Sequence, residues 1–147
     1  MDTDSLHIRI GHSPDPDDAF MFYALTTGVF DTPGREYEHV LLDIQTLNEK
    51  ALKQEYEISA VSIHSFPKII ENYALMNCGA SMGEGYGPML IANQEFTKDE
   101  AKSKTIAIPG LDTSAYLALR LAWGDVNVEV VPFDEILPAV VEGKYDV

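Results

Sequence analysis

Polar residues that could bind a small anion lie at the start of a predicted helix, in segment 110–115. Gly110 lets the backbone approach a ligand closely, and the hydroxyls of Thr113 and Ser114 follow it. The first N–H groups of a helix lack partners within the helix and lie at the positive end of its dipole, so this terminus suits a carboxylate or phosphate. No Gly-Lys-Ser/Thr sequence follows, which excludes a Walker loop. Capping of the helix by Asp112 or Thr113 explains the same residues as well as binding does.

Two further positions near the ends of predicted strands carry side chains that can hydrogen-bond a ligand. Asn48 lies early in a predicted helix, and Ser62 ends a strand-like stretch that includes Ala60 and Val61. In open α/β sheets, ligands bind beyond the carboxyl ends of the strands, which makes both positions candidates. Ser62 lacks the Gly-x-Ser-x-Gly elbow of a serine nucleophile, so we predict a hydrogen-bonding role for it.

Acidic residues and histidines near strand ends are weaker candidates. Asp15, Asp17 and Asp18 follow the first predicted strand, and carboxylates are the ligands that Mg²⁺ and Ca²⁺ prefer. No distal set of Asp, Glu or His has the spacing of metal ligands, so we favour helix capping and predict no metal site. His12 and His64 lie closest to strand ends and could titrate near neutral pH, but neither has an obvious partner and we predict surface or supporting roles for both.

Strands and helices alternate along the chain and must position these residues. Strand-like patterns cover 6–10, 39–44, 58–62, 74–77, 89–92, 105–108 and 126–131, and helical patterns cover 19–27, 46–53, 66–72, 113–123 and 133–142. We predict that the helix over 19–27 is buried, that Thr46 caps the second helix, and that Gly28 and Gly143 end theirs. The alternation predicts the α/β class with mainly parallel sheets.

The predicted elements fall into two series. We predict a first lobe over 1–93, a connection with a helical turn over 94–104, and the start of a second lobe over 105–147. The glycine-rich loop 79–87 is interpreted as a flexible crossover, because it does not place Gly-x-Gly-x-x-Gly between a strand and a helix. Residues 144–147 look like the start of one more strand, so we expect the second lobe to be truncated; a complete small domain with a short last strand is the alternative.

The composition excludes several classes of partner. The 147 residues carry a formal net charge of −14 without a basic run, so we expect neither nucleic-acid nor membrane partners. The single cysteine, Cys78, excludes an intrachain disulfide, and its apolar surroundings predict a buried, unreactive thiol. The start of the chain has no basic and apolar leader, and no run approaches the ~20 apolar residues that span a bilayer. We therefore expect a cytoplasmic protein.

Several motifs, taken in order, resemble one family. They lie at residues 11–18, 20–25, 46–48, 61–62, 83–88, 109–110, 113–116 and 136–138. Together they resemble the 1,4-dihydroxy-6-naphthoate synthases, lyases of menaquinone biosynthesis that act on cyclic dehypoxanthinyl futalosine, over residues 6–147. This resemblance implies a two-lobed fold like that of type II periplasmic solute-binding proteins, with the substrate held between the lobes.

The resemblance also implies site residues. It places substrate contacts at Asn48, at Ala60, Val61 and Ser62, and at Ser114 and Ala115, and the helix-terminus argument adds Thr113 for the substrate carboxylate. The family has Cys and Asn where this chain has Asp15 and Asp17, and Thr where it has Ser114. The two added acids would weaken the binding of an anionic substrate, whereas Ser114 keeps the hydroxyl.

The resemblance places the general base outside this sequence. The family's base is a histidine in a Gly-Leu-Ile-Ile-His-like strand that would follow Val147, so no catalytic residue is assigned within the chain and we expect the fragment to be inactive. No metal or organic cofactor is implied. The exposed edge of the truncated sheet offers a surface for homodimerisation. The alternatives are a small-carboxylate solute-binding or sensing protein of the same fold, and a plain α/β domain whose polar loops only cap helices.

Overall fold

The computed structural model describes residues 5–147 and shows two separate units. One unit runs up to Met82 and the other from Gly83 to Val147. Each unit contains a parallel sheet with helices in the connections, so the predicted α/β class with parallel sheets is confirmed. The connection predicted at 94–104 lies inside the second unit, and the assignment of lobes to 1–93 and 105–147 stays a prediction.

The first unit is built around its central strand, β1. Among the described residues the strand order is β2-β1-β3, and both neighbours run parallel to β1. The elements are β1 (Leu6–His12), α1 (Pro16–Thr26), β2 (Arg35–Leu41), α2 (Ile44–Leu52) and β3 (Ile58–Ser59). Because the strands are parallel, the loops that follow them meet at one edge of the sheet.

Close packing between β1 and α2 forms the core of the first unit. Leu47 of α2 is fully buried on the side of β1 that Gly11 faces. At Gly11, a Cβ atom would lie 2.7 Å from Cδ2 of Leu47 and 2.8 Å from the ring of Tyr56. Only glycine therefore lets α2 approach β1 this closely.

The helix ends of the first unit follow local rules, with one correction. Gly28 has a φ of +68° directly after the C-cap of α1, as predicted. The prediction that Thr46 caps α2 is wrong, because Asp43 is the N-cap and accepts a hydrogen bond from the backbone N of Thr46 at 3.0 Å. Asp is the stronger cap, since its charged oxygen also interacts favourably with the helix dipole.

The second unit pairs two parallel strands, β4 with β5, in register from Thr105 with Asn127 to Ile108 with Val130. Its elements are α3 (Lys98–Lys102), β4 (Thr105–Ile108), α4 (Ser114–Trp123), β5 (Asn127–Val130) and α5 (Phe133–Val141). The order and type of these five elements agree with the prediction for residues 94–142, and α3 is the helical turn predicted within 94–104. Gly143 follows α5 with a φ of +75°, as its predicted role requires.

Both faces of β4 are covered. Ala107 packs with Val140 and Tyr145 on one side, whereas Ile106 and Ile108 belong to a second cluster on the other side. That second cluster includes Ala101 and Val147 and is lined by α4 through Tyr116, Leu119 and Trp123. The continuous apolar run of β4 reflects this burial on both faces.

Several short predicted elements are wrong. Residues 74–77 and 89–92 form no strand, and the strand predicted at 58–62 shrinks to Ile58–Ser59. The helix predicted at 66–72 is a three-residue 3-10 helix, Phe66–Lys68. A strand requires a neighbour for its hydrogen bonds, and no strand partner lies beside 74–77 or 89–92 within residues 5–147. Residues 144–147 are also not a strand, although the backbone N of Ala107 donates to the carbonyl of Val147 at 3.0 Å.

Two predictions of burial are also wrong. Of the described residues of α1 only Asp18 is buried, and Phe20 is 85% exposed. The helix is apolar on all sides, but one side alone contacts the sheet, so the other apolar side chains remain exposed. Cys78 is exposed rather than buried.

Among residues 5–147, no helix combines the length and apolar content that a membrane span needs.

Candidate functional site

Asn48 and Ser62, two of the predicted site residues, contact each other in the first unit. Nδ2 of Asn48 donates to Oγ of Ser62 at 3.1 Å, and the backbone N of Ser62 donates to Oδ1 of Asn48 at 2.8 Å. Asn48 is 0% and Ser62 8% exposed. The amide therefore holds the Ser62 hydroxyl in place and uses it as an acceptor, so the hydroxyl proton can be donated to an oxygen of a ligand.

The segment that carries Ser62 leaves the carboxyl end of β3. The backbone N of Ala60 donates to the carbonyl of Gly11 at 2.8 Å, which extends the β1–β3 pairing by one bond. Ala60 and Val61 are half-buried. This geometry places residues 60–62 at the same sheet edge as the loop after β1.

Ser65 is a buried polar residue that sequence reasoning missed. Its backbone N donates to the carbonyl of Ser62 at 2.9 Å, and the residue is fully buried. Its Oγ has no hydrogen-bond partner within residues 5–147. The sequence signal for Ser65 was its position three residues after Ser62, the spacing at which a tight turn forms this backbone hydrogen bond.

The acidic loop after β1 is stabilised by hydrogen bonds of its own. The backbone N of Ser13 donates to the Asp18 carboxylate at 2.6 Å, and the Ser13 hydroxyl donates to Asp15. Burial raises the pKa of Asp18, while a hydrogen bond from Ser81 lowers the pKa of Asp17. Asp15 occupies the N-cap position of α1, but its side chain caps nothing, so capping by Asp15 is wrong. No three metal-ligating side chains cluster anywhere in the described part of the chain.

His12 is buried and has two hydrogen-bond partners, so a surface position without a partner is wrong, whereas a supporting role stays a prediction. Its Nε2 lies 3.1 Å from Nδ1 of His39, and its Nδ1 lies 3.0 Å from the carbonyl oxygen of Ser13. Burial, and then the neighbouring His12, lowers the pKa of His39. Sequence reasoning missed His39, because only the register of β1 and β2 brings it to His12.

In the second unit Thr113 is the N-cap of α4. Its hydroxyl donates to the carbonyl of Gly110 at 2.8 Å and accepts from the backbone N of Tyr116 at 3.3 Å. Thr113 is 3% exposed, whereas Ser114 and Ala115 are half-buried in the first turn. The capping alternative is therefore confirmed for Thr113, and a role of this helix terminus in binding stays a prediction.

The two sets of residues can perform related chemistry within their own units. The first unit presents a side-chain hydroxyl held by a buried amide, and the second presents backbone N–H groups at the N-terminus of a ten-residue helix. Both are hydrogen-bond donors suited to carboxylate or carbonyl oxygens. The hydrogen bonds given above for Ser62 and Thr113 do not pair either hydroxyl with a basic side chain.

Comparison with known proteins gives a consistent family. The family model described as menaquinone biosynthesis matches residues 8–147. A 1,4-dihydroxy-6-naphthoate synthase from Thermus thermophilus is 36% identical over 140 residues, and one from Streptomyces coelicolor is 34% identical over 146 residues. Each match covers 95% of this chain and 50% of the relative, so the chain spans about half the length of these curated relatives.

A solved structure supports the same relationship. The crystal structure of a protein from Archaeoglobus fulgidus is 46% identical, with a TM-score of 0.88 over 95% of this chain and 52% of that one. The family match, the two curated relatives and this structure extend over nearly all of the chain. The chain belongs to the menaquinone biosynthesis family.

Proposed function

We propose that this chain forms part of a 1,4-dihydroxy-6-naphthoate synthase, a lyase that converts cyclic dehypoxanthinyl futalosine to 1,4-dihydroxy-6-naphthoate in menaquinone biosynthesis. The names of the two curated relatives support this activity. The observation that carries it in the molecule is the Asn48–Ser62 pair, which holds one hydroxyl ready to donate at the carboxyl edge of a parallel sheet. The same proposal makes the protein cytoplasmic.

The fold is proposed to be of the two-lobed type found in type II periplasmic solute-binding proteins. Each unit has a parallel sheet, and each has its candidate donors after the strands, where α/β proteins bind ligands.

Each predicted site residue has a proposed role. Ser62 donates its hydroxyl proton to a substrate oxygen, and Asn48 fixes the orientation of that hydroxyl. Ser114 and Ala115 bind the substrate carboxylate through the N–H groups of the first turn of α4. Thr113 holds the turn that presents them. Ala60 and Val61 line the path of the substrate beside Ser62.

The proton-abstracting base is proposed to be a histidine outside this sequence. Acid–base catalysis of this kind contributes typically ~10²–10⁴-fold to a rate. The reaction as proposed needs no metal or organic cofactor from these residues.

The test is an assay of the whole protein with cyclic dehypoxanthinyl futalosine, with the product detected by mass spectrometry. We expect 1,4-dihydroxy-6-naphthoate from the native protein and a much lower kcat/KM for Ser62→Ala. Tight binding with the compound recovered unchanged would refute the lyase and favour a solute-binding protein. Equal kcat/KM for Ser62→Ala and native protein would remove Ser62 from the site.

A further inference from the structure

His12 and His39 lie together on the face of the first sheet that α1 covers. The register pairs Ile10 with His39, and side chains alternate along a strand, so His12 projects from the same face as Ile10 and reaches across to His39. The ring of Phe22, in α1, stacks on His12 with centroids 4.4 Å apart and meets His39 edge-on at 6.1 Å. Phe22 of α1 therefore contacts both imidazoles, of which His12 is buried and His39 is partly buried.

The hydrogen bonds of the two rings determine where their protons lie. A carbonyl oxygen only accepts, so Nδ1 of His12 carries the hydrogen that is shared with Ser13 at 3.0 Å. In neutral His12, Nε2 is then an acceptor, and Nδ1 of His39, 3.1 Å away, must donate to it. Nε2 of His39 is left with its lone pair, buried and without a hydrogen-bond partner within residues 5–147.

Few titratable groups face the two rings. From α1, the buried Asp18 interacts electrostatically with His12. From β2, Tyr37 lies two residues before His39 on the same face of the sheet. From β1 comes His12 itself. Burial and the adjacent His12 both oppose a positive charge on His39 and lower its pKa.

We propose that His12 and His39 form one proton-binding pair, which takes up a single proton at Nε2 of His39 below neutral pH and thereby loosens α1 from the first sheet. Protonation turns the buried Nε2 into a charged donor, and no acceptor lies beside it within residues 5–147. A buried donor without an acceptor is costly, so the neutral pair is the state that holds α1 in place. This inference does not depend on the proposed activity.

The direction of the pH effect follows from the lowered pKa of His39. The unfolded chain takes up a proton near the ordinary histidine value of about 6.5, before the folded chain does. Stability is therefore fully present above that value and declines as the pH falls from it toward the lowered folded value. Loosening should appear first in α1 and in the loop that joins it to β1.

The first test needs no substitution. Long-range ¹H–¹⁵N correlation spectra of the labelled chain report the tautomer of each histidine. At pH 7.5 we expect the Nδ1–H tautomer for both His12 and His39, and on acidification one proton uptake for the pair, seen at Nε2 of His39. An Nε2–H tautomer at His12, or separate titrations of the two rings near the ordinary pKa, would overturn the proposal.

The second test measures amide exchange in α1 at pH 7.5 and 5.5, corrected for intrinsic exchange rates. We expect exchange in α1 to be several-fold faster at the lower pH in the native chain. In His39→Gln, whose neutral side-chain amide cannot take up a proton at that pH, this difference should vanish. His7→Gln, at the exposed His7–Glu38 contact, is the matched control and should keep the difference. An unchanged pH response in His39→Gln would contradict the proposal.

Discussion

The two candidate binding regions reach the same chemistry by different means. In the first unit a buried side chain, Asn48, holds another side chain, Ser62, through two hydrogen bonds. In the second unit the Thr113 hydroxyl holds a turn, and the backbone of Ser114 and Ala115 presents the donors. One region therefore depends on side-chain identity and buried packing, whereas the other depends on backbone geometry that many side chains allow.

The largest expected effect is that of Asn48→Ala. This change removes both hydrogen bonds to Ser62 and leaves the buried N–H of Ser62 without its acceptor. We expect a free energy of unfolding lower by about 2–3 kcal/mol, measured by urea denaturation of the first unit. Equal stabilities for Asn48→Ala and native protein would show that the amide does not hold Ser62.

Gly11→Ala tests the packing that places α2, and with it Asn48, against β1. The added Cβ would meet the side chains of Leu47 and Tyr56 at under 3 Å. Overpacking of this kind should lower the free energy of unfolding by about 1–2 kcal/mol, again by urea denaturation. Gly87→Ala is the control, because nothing lies within 4 Å of a Cβ there. A Gly11→Ala variant as stable as this control would refute the close approach.

Thr113→Ala addresses the second region. Loss of the N-cap should lower the free energy of unfolding by about 1 kcal/mol, less than the loss at Asn48. Thr113→Ser retains a hydroxyl that can accept from Tyr116 and should remain close to native. Thermal unfolding of the three proteins side by side checks the order. If Thr113→Ser were as unstable as Thr113→Ala, the hydroxyl would not be the cap.

The smallest effect concerns an exposed ion pair outside both regions. Arg9 donates to Glu57 at 2.7 and 3.0 Å, which lowers the pKa of Glu57 to about 2. The stabilisation is present above the ordinary glutamate pKa and is lost as the pH falls toward about 2. Glu57→Gln should therefore show a slightly smaller loss of thermal stability between pH 5 and pH 2.5. An identical loss would mean that the pair contributes nothing, as many exposed pairs do.

The sequence predicted elements well where the determining signals are local. Strand β4, helix α4 and helix α5 are framed by turn residues, and the glycine that ends α5 adopts the expected positive φ. The stretches 74–77 and 89–92 have apolar residues typical of strands, but strand formation depends on a partner that sequence periodicity does not reveal. The same limit explains α1, whose exposure depends on what packs against it.

The sequence predicted those candidate site residues that lie shortly after a predicted strand. Asn48, Ser62 and Thr113 follow strands, and the structure finds them buried and hydrogen-bonded. The contact between His12 and His39 joins residues 27 positions apart, so it depends on the β1–β2 register. The burial of Ser65 depends on the turn in which its backbone N–H donates to Ser62, and the sequence does not determine the geometry of that turn.

The central claim is that N–H groups of the first turn of α4 bind the substrate carboxylate. Ser114→Pro tests it directly, because proline is tolerated at the first helical position but has no backbone N–H. The preceding residue, Thr113, already has the extended conformation that proline requires, with φ −80° and ψ 150°. Ser114→Ala keeps the N–H and is the matched control. Calorimetry with the whole protein and cyclic dehypoxanthinyl futalosine should show affinity about tenfold weaker for Ser114→Pro than for Ser114→Ala, as for one lost hydrogen bond to a charged group. Equal affinities for the two variants would contradict the account.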